Sequence, residues 1–534
     1  MIKFNTEDKT LENIARIAKN RLGDKYDITL LIDKNLEELE GKIEDGVISA
    51  GSYSELLNTL GRFVRNPKIE NGTFKSKKEI CAMYFASHNN NFYECAPLDE
   101  IYEHIDDIAL WGTNMIRVWF DMYYFEDMED GKEYAERLKK ILRYAKSIGL
   151  KIMMTTLSNE AFRHSPEELR ADWTCGHDGY IYPLNDHYHV EICPNKPGGL
   201  EKIIEYRKSW LETFSDLNLD YMSIGPYDEG GCSCSKCAPW GGNGYIKTVE
   251  ALIPLVKEYM PNTDIILSLW QFGTFTGTDV EFEMMNKVMD EGRLSECKYL
   301  IAEPQYQRYA FEKGMRRPII GFPEISMCAT IPWGGYGTNP IPKLLQELWD
   351  RDGDKLVGGW PYSEGFYEEI NKVVMLRLYR DGQSASDTVK EYLSYEFGLE
   401  GELLQKAHDA IFDMEETLYR KFEKGQHRYP INVPDKVESI EKAIVEVDAT
   451  LPDEIRNGKK WQMIYLRAVI DGELKRNDYR RNDKVLGYFK KIMELCHLEK
   501  GNFIVKPDIS EEVAPQRVLT EEEHKIIAAG GKID

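Results

Sequence analysis

The chain has 534 residues, of which 42% are apolar and 30% charged, with a net charge of −23. It is too long for one core, so two to four domains are expected. So acidic a surface argues against nucleic acid and anionic membranes as partners, and no apolar run is long enough to span a bilayer.

The opening MIKFNTEDKTLENIARIAKNRL carries no apolar leader core, so a cytoplasmic protein is expected. DITLLI (27–32) reads as a short strand and GVISAGS (46–52) as another. SYSELLNTLGRFV (52–64) then takes up helical period, with Ser52 or Ser54 placed to cap it. These make a small α/β domain over residues 1–75, running into the polar linker KIENGTFKSKKE.

Between residues 76 and 385 apolar β-type runs recur, mostly followed by helical stretches. They are ICAMYFA (80–86), MIRVWF (115–120), KIMMTT (151–156) and LDYMSIG (219–225). DIILSLW (264–270), KYLIAE (298–303), PIIGFPE (318–324) and KLVGGWPYSE (355–364) complete the series. Eight strands alternating with helices predict an α/β fold of the (β/α)8, or TIM barrel, type. A doubly wound sheet is the alternative, but no Gly-rich phosphate turn follows the first strand. GGNG (241–244) and WGGYG (333–337) do not sit between strand and helix as that motif requires. From 386 to 534 the periodicity is nearly all helical, which predicts a C-terminal helical domain packed on the barrel.

A barrel of this type carries its site at the C-terminal ends of its strands. Asp228 and Glu229 fall just past the fourth strand, and Glu303, Glu324 and Glu364 close the sixth, seventh and eighth. Polar residues in equivalent places are His88, Asn89, Asp121, Asn159, Glu160, Trp270 and Gln271. Carboxylates crowded into a partly dry cleft raise one another's pKa, which keeps a neutral acid available near pH 7. Glycoside hydrolysis needs such an acid to protonate the leaving oxygen, and a second group to stabilise or attack the oxocarbenium-like centre. Each acid taken alone reads equally as a helix cap or a surface charge. The 31 Tyr and 10 Trp supply aromatic faces suited to sugars, though core packing uses the same residues.

Ten cysteines show no secreted disulfide framework, so reduced thiols or metal ligands are expected. Cys232, Cys234 and Cys237 form C-x-C-x-x-C directly after the acids. Cys193, from the insertion between strands three and four, is the first choice of fourth ligand, with Cys175 and His177 as alternatives. Four thiolates suit a closed structural Zn²⁺ with no open position for catalysis. Buried reduced cysteines are the alternative.

YMSIGPYDEGG (221–231) resembles the strand-four signature of β-hexosaminidases of glycoside hydrolase family 20, where an Asp-Glu pair follows an Ile-Gly-rich strand end. VGGWPYSEG (357–365), with Trp360, Tyr362 and Glu364, resembles that family's last strand, and DGVISAGSYSELLNTLGRFV its small leading domain. YSEGFYEEINK (362–372) and the helical tail are similar to α-glucuronidase and endo-β-N-acetylglucosaminidase barrels. The family-20 resemblance implies a retaining hydrolase of β-linked N-acetylhexosamine residues. In it Glu229 is the general acid/base, and Asp228 orients the substrate's 2-acetamido group as nucleophile through an oxazoline. No catalytic cofactor is implied. The stretch YFASHNNN (84–91) departs from the family, with Ser87 where an Arg is usual. The sugar is therefore expected to be held otherwise, by His88 and Asn90 or by Glu364. Asn159, Trp270, Glu303, Glu324, Trp360 and Tyr362 are further expected contacts. The alternatives are an α-glucuronidase-like glycosidase using two separate carboxylates, and a non-catalytic carbohydrate-binding barrel. The expected partner is a glycoside or oligosaccharide, with a homodimer left open.

Overall fold

The computed structural model describes residues 1–87, 91–122, 128–172, 190–228, 230–326, 339–363, 369–417, 436–477 and 482–498. At the N-terminus β1 (Ile2–Lys3), β2 (Ile28–Ile32), β3 (Glu40–Glu44), β4 (Val47–Ala50) and β5 (Gly72–Lys75) form one sheet in the order β1-β2-β4-β3-β5. Helices Lys9–Leu22 and Tyr53–Arg65 pack with it. Asp8 caps the first, accepting from the amides of Thr10 and Leu11, and Ser52 caps the second, accepting from Glu55 N–H at 3.3 Å. Each side-chain oxygen satisfies amides that the first helical turn leaves unpaired.

The barrel expected from the alternation is present. Its strands are β6 (Ile80–Phe85), β7 (Met115–Trp119) and β8 (Lys151–Leu157), then β11 (Tyr221–Gly225) after two short strands, β9 (Glu160–Ala161) and β10 (Val190–Glu191). β12 (Asp264–Ser268), β13 (Cys297–Ala302), β14 (Ile319–Gly321) and β16 (Gly358–Gly359) complete it. All neighbours are parallel, and β16 pairs with β6 to close the ring. A helix follows each strand, from Leu98–Trp111 after β6 to Glu369–Asp381 after β16. Gly358 is forced by the closure. It sits at φ +143, and a Cβ there would lie 1.8 Å from the carbonyl oxygen of Ile80 on β6.

The seventh and eighth strands break and resume. Pro323 and Pro361 lack the amide that a ladder needs. Beyond them β15 (Glu324–Ser326) pairs with β17 (Tyr362–Ser363), so Glu324 stands opposite Tyr362 at the mouth.

Side chains alternate across the pleat, and the inward set forms layers. Ile80, Met115, Met153, Tyr221, Ile266 and Tyr299 pack together in the lower interior. Tyr84, Trp119 and Leu157 form the layer above, against Tyr227, Phe322 and Tyr362. A larger core lies between the strands and the surrounding helices.

The N-terminal sheet is joined to the barrel by buried charge. Glu55, fully buried, accepts from Arg380 Nη1, Ser76 Oγ and Asn58 Nδ2, each at 2.8 Å. Arg380 also donates from Nε to the carbonyl of Gly112 at 2.6 Å, and Arg62 pairs with Asp381. Helices Ala385–Phe397, Gly401–Thr417, Val437–Asp448, Lys459–Arg476 and Asp483–Leu495 pack in sequence onto the barrel's last two helices. Lys460 ties three elements together, reaching Asp107 at 3.1 Å, Glu369 at 2.7 Å and Glu396 at 2.9 Å. Among the described residues, no helix is long and apolar enough to cross a membrane.

Candidate active site

At the C-terminal mouth of the barrel lies an open cavity, where a (β/α)8 barrel carries its site. Among the described residues three carboxyl groups line it, each from a different strand end: Asp228 after β11, Glu303 after β13 and Glu324 at the start of β15. Trp119, Tyr227, Trp270, Phe322, Trp360 and Tyr362 give it aromatic walls. Trp270 Nε1 donates to Asp228 Oδ1 at 2.8 Å and so fixes that carboxylate's orientation.

Glu303 is 1% exposed, and neither of its carboxyl oxygens has a hydrogen-bond partner among the described residues. It occupies the cap position of helix Pro304–Glu312 without using its side chain as a cap. Burial drives its pKa well above the ordinary carboxylate range, and the charges of Glu324 and Asp228 push in the same direction. Burial and the two acidic neighbours thus favour the protonated form of Glu303, which faces the same space as the other two.

Arg117, midway along β7, supplies a positive charge to the cavity. Its Nε donates to Thr155 Oγ1 at 2.5 Å, and its guanidinium lies 3.7 Å from the ring centre of Tyr84 and 4.5 Å from that of Trp360. Two ring faces hold the ion where water is scarce; burial lowers its pKa. Its Nη1 is buried with no hydrogen-bond partner among the described residues. Reading strand ends alone misses Arg117. The available signal was a charge at an inward position of an otherwise apolar run, Met115-Ile-Arg-Val-Trp119.

Of the residues singled out in sequence, the cavity gathers Asp228, Trp270, Glu303, Glu324, Trp360 and Tyr362. Asn159 is not among its lining residues: its Nδ2 donates to Ile192 O at 3.1 Å and its carbonyl accepts from Ile192 N–H, which ties β8 to the insertion. Glu229, His88, Asn90 and Glu364 lie outside the described residues, as do Cys175 and His177. Ser87, where the resemblance has an arginine, donates from Oγ to Trp119 O at 2.7 Å and accepts from Trp119 N–H at 3.1 Å. It joins the ends of the first two strands, and the cavity's guanidinium comes from the next strand at a deeper level.

Beyond Asp228 the chain turns through Gly230 and Gly231, at φ +75 and +89. A Cβ on Gly231 would lie 2.0 Å from the Trp240 ring, so glycine is required there. The turn delivers Cys232, Cys234 and Cys237 to Cys193, which follows β10; the four sulfurs all lie within 4.8 Å of one another.

Fold and site together define a (β/α)8 barrel with an acid-lined, aromatic-walled mouth. No family model matches the chain, and no curated protein matches it. Among solved structures it is similar to a family 89 glycoside hydrolase from Clostridium perfringens in complex with PUGNAc. That match has a TM-score of 0.60 and 14% identity, and covers 92% of this chain and 65% of the other. The same enzyme with two Glu→Gln exchanges, in complex with its substrate GlcNAc-α-1,4-galactose, matches with a TM-score of 0.61 at 14% identity, over 92% and 64%. The chain thus spans slightly less than two thirds of the length of these structures. A looser match is the family 20 β-N-acetylhexosaminidase from Streptomyces coelicolor, with a TM-score of 0.47 and 13% identity over 79% and 93%. At these identities the likeness is one of fold.

Proposed function

We propose that the protein is a glycoside hydrolase that releases a 2-acetamido sugar from a glycan. The observation that carries this is the convergence of Asp228, Glu303 and Glu324 on one aromatic-walled cavity with Arg117 below them. Hydrolysis of an acetal needs a proton donor on one side and negative charge or a nucleophile on the other. The aromatic walls suit the apolar faces of a pyranose, and Arg117 Nη1 offers a hydrogen-bond donor to a sugar oxygen at the base. The family 89 neighbour's printed substrate, GlcNAc-α-1,4-galactose, supports a 2-acetamido sugar.

In the first mechanism Glu229 donates the proton to the leaving oxygen. Asp228, held through one oxygen by Trp270, accepts the acetamido N–H through the other. The amide oxygen then attacks the anomeric carbon, forming an oxazoline that water opens with retention. This is the route that the adjacent acids and a β-linked substrate suggest. A second mechanism is favoured by the neighbour with an α-linked substrate and two exchanged glutamates. There a separate carboxylate attacks, and Glu324 suits the role better than Glu303, because a nucleophile must be ionised and the burial of Glu303 favours its protonated form.

The test is a panel of aryl α- and β-glycosides with 2-acetamido or 2-hydroxyl groups, with NMR of the first-formed anomer. Thiazoline inhibition with turnover of β-N-acetylglucosaminides supports the oxazoline route. Labelling of Glu324 by a slow fluorosugar, with turnover of α-N-acetylglucosaminides, supports the two-carboxylate route. Absence of hydrolysis across the panel removes the enzymatic reading.

A further inference from the structure

We propose that Cys193, Cys232, Cys234 and Cys237 bind one Zn²⁺, and that this closed centre braces the loop that carries Asp228. Four sulfurs around zinc at about 2.3 Å stand about 3.8 Å apart at the corners of a tetrahedron. Cys193 Sγ lies 3.7 Å from Cys234 Sγ and 3.7 Å from Cys237 Sγ, and all four sulfurs fit within 4.8 Å. One sulfur equidistant from two others is the geometry of a shared ion; a disulfide would single out one partner at about 2.05 Å.

The surroundings match thiolates. Asp172 N–H donates to Cys232 Sγ at 3.4 Å, and Asn195 Nδ2 donates to Cys237 Sγ at 3.1 Å. Asn195 is itself oriented by Lys247, whose Nζ donates to Asn195 Oδ1 at 2.7 Å and to Pro194 O at 2.8 Å. Lys196 similarly holds Asp172, donating to its Oδ1 at 3.1 Å and to Arg170 O at 2.6 Å. Amides donating to sulfur, with ammonium groups behind them, are the outer ring expected around a centre of net negative charge. Each thiol loses its proton to solvent as its Zn–S bond forms, and the ion keeps its charge of +2, so no oxidant or reductant enters. Four soft thiolates select zinc over hard cations and fill every tetrahedral position, which leaves none for substrate.

The centre crosslinks two segments that share no helix or strand. Cys193 lies at the end of the insertion between β8 and β11, and the other three follow Asp228 through the Gly230-Gly231 turn. The ion would hold that turn against the insertion and so fix where the acid points.

Elemental analysis of the full chain, purified without added metal, should find about one zinc per chain. The Co²⁺-substituted protein should show sulfur-to-cobalt charge transfer and the intense visible bands of a tetrahedral thiolate site. Cys234→Ser should lower zinc content and melting temperature, whereas Cys496→Ser, a buried cysteine elsewhere, should leave zinc unchanged. If Cys234→Ser does not fold, titration of the wild-type protein with a mercurial keeps the test open: zinc should be released in step with modification of four thiols. Metal-free protein whose four thiols react readily in the native state would overturn the proposal. So would an intact mass lower by two hydrogens per disulfide, or iron in place of zinc. These readouts involve no glycoside, so loss of the proposed hydrolase activity and loss of this centre are separate results.

Discussion

Trp270→Phe removes one atom group of known partner and leaves most of the wall in place. The indole N–H donates to Asp228 Oδ1 at 2.8 Å, while the ring meets Tyr306 and Phe322 edge-on at 6.2 and 6.5 Å between centres. Phenylalanine keeps an aromatic surface there but cannot donate. A hydrogen bond to a charged group contributes about 1.5–3 kcal/mol, and about 1.4 kcal/mol is tenfold in rate. If Asp228 must be oriented in the transition state, kcat/KM on an aryl 2-acetamido glycoside should fall by about 10- to 150-fold. The loss should be concentrated on 2-acetamido substrates if Asp228 receives the acetamido N–H, and spread evenly over 2-hydroxyl analogues if it does not. Thermal melting of the variant, run alongside, separates misorientation from unfolding. A folded variant with kcat/KM within about twofold of wild type on every substrate would refute the reasoning, since twofold is about 0.4 kcal/mol, less than a third of the lower bound.

Glu229→Gln should lower kcat by on the order of 10² or more on an unactivated glycoside, and by less where the leaving group needs little protonation; equal losses on both would argue against a proton donor. Glu303, with its pKa raised in the folded state, keeps a proton that the unfolded chain loses. Its contribution is full below the ordinary carboxyl pKa and fades as pH rises through the raised value, at up to about 1.4 kcal/mol per pH unit. Glu303→Gln should flatten that part of the stability–pH curve measured by urea unfolding, and parallel curves would count against a neutral Glu303. Arg380→Met strands the buried Glu55 carboxylate and should cost about 3–5 kcal/mol; a cost under about 1 kcal/mol would mean that the pair does not hold the junction.

The barrel strands were readable because a parallel strand covered on both faces is an uninterrupted apolar run, as in Ile80–Phe85 and Met115–Trp119. Helix Lys9–Leu22 escaped notice, since its mean hydropathy is low and its apolar residues, Leu11, Ile14, Ile17, Ala18 and Leu22, sit on one face among lysines and arginines. β3 and β5 were also missed: they alternate over only four or five residues and draw their stability from pairing with β4 and each other. Cysteine chemistry suggested Cys193 as the partner of three thiols some forty positions away, and the four sulfurs lie within 4.8 Å of one another. Nothing comparable marked Arg117, whose role comes from the inward phase of β7 and two rings donated by the first and eighth strands.

The buried pair at the barrel junction also has a consequence for how the chain is made. Glu55 and Arg380 are 325 positions apart, and a ribosome adding about 5–20 residues per second needs about 15–65 s to cover that interval. Throughout it the newborn N-terminal sheet has a carboxyl group shaped for burial and no guanidinium to bury it with. The sheet can collapse early, but the face of helix Tyr53–Arg65 that bears Glu55 must stay wet, or protonated, until the barrel's final helix emerges. Burial of the N-terminal sheet's face is therefore timed by the final helix of the barrel, and a chain truncated anywhere before residue 380 would expose that face to other proteins in the cell.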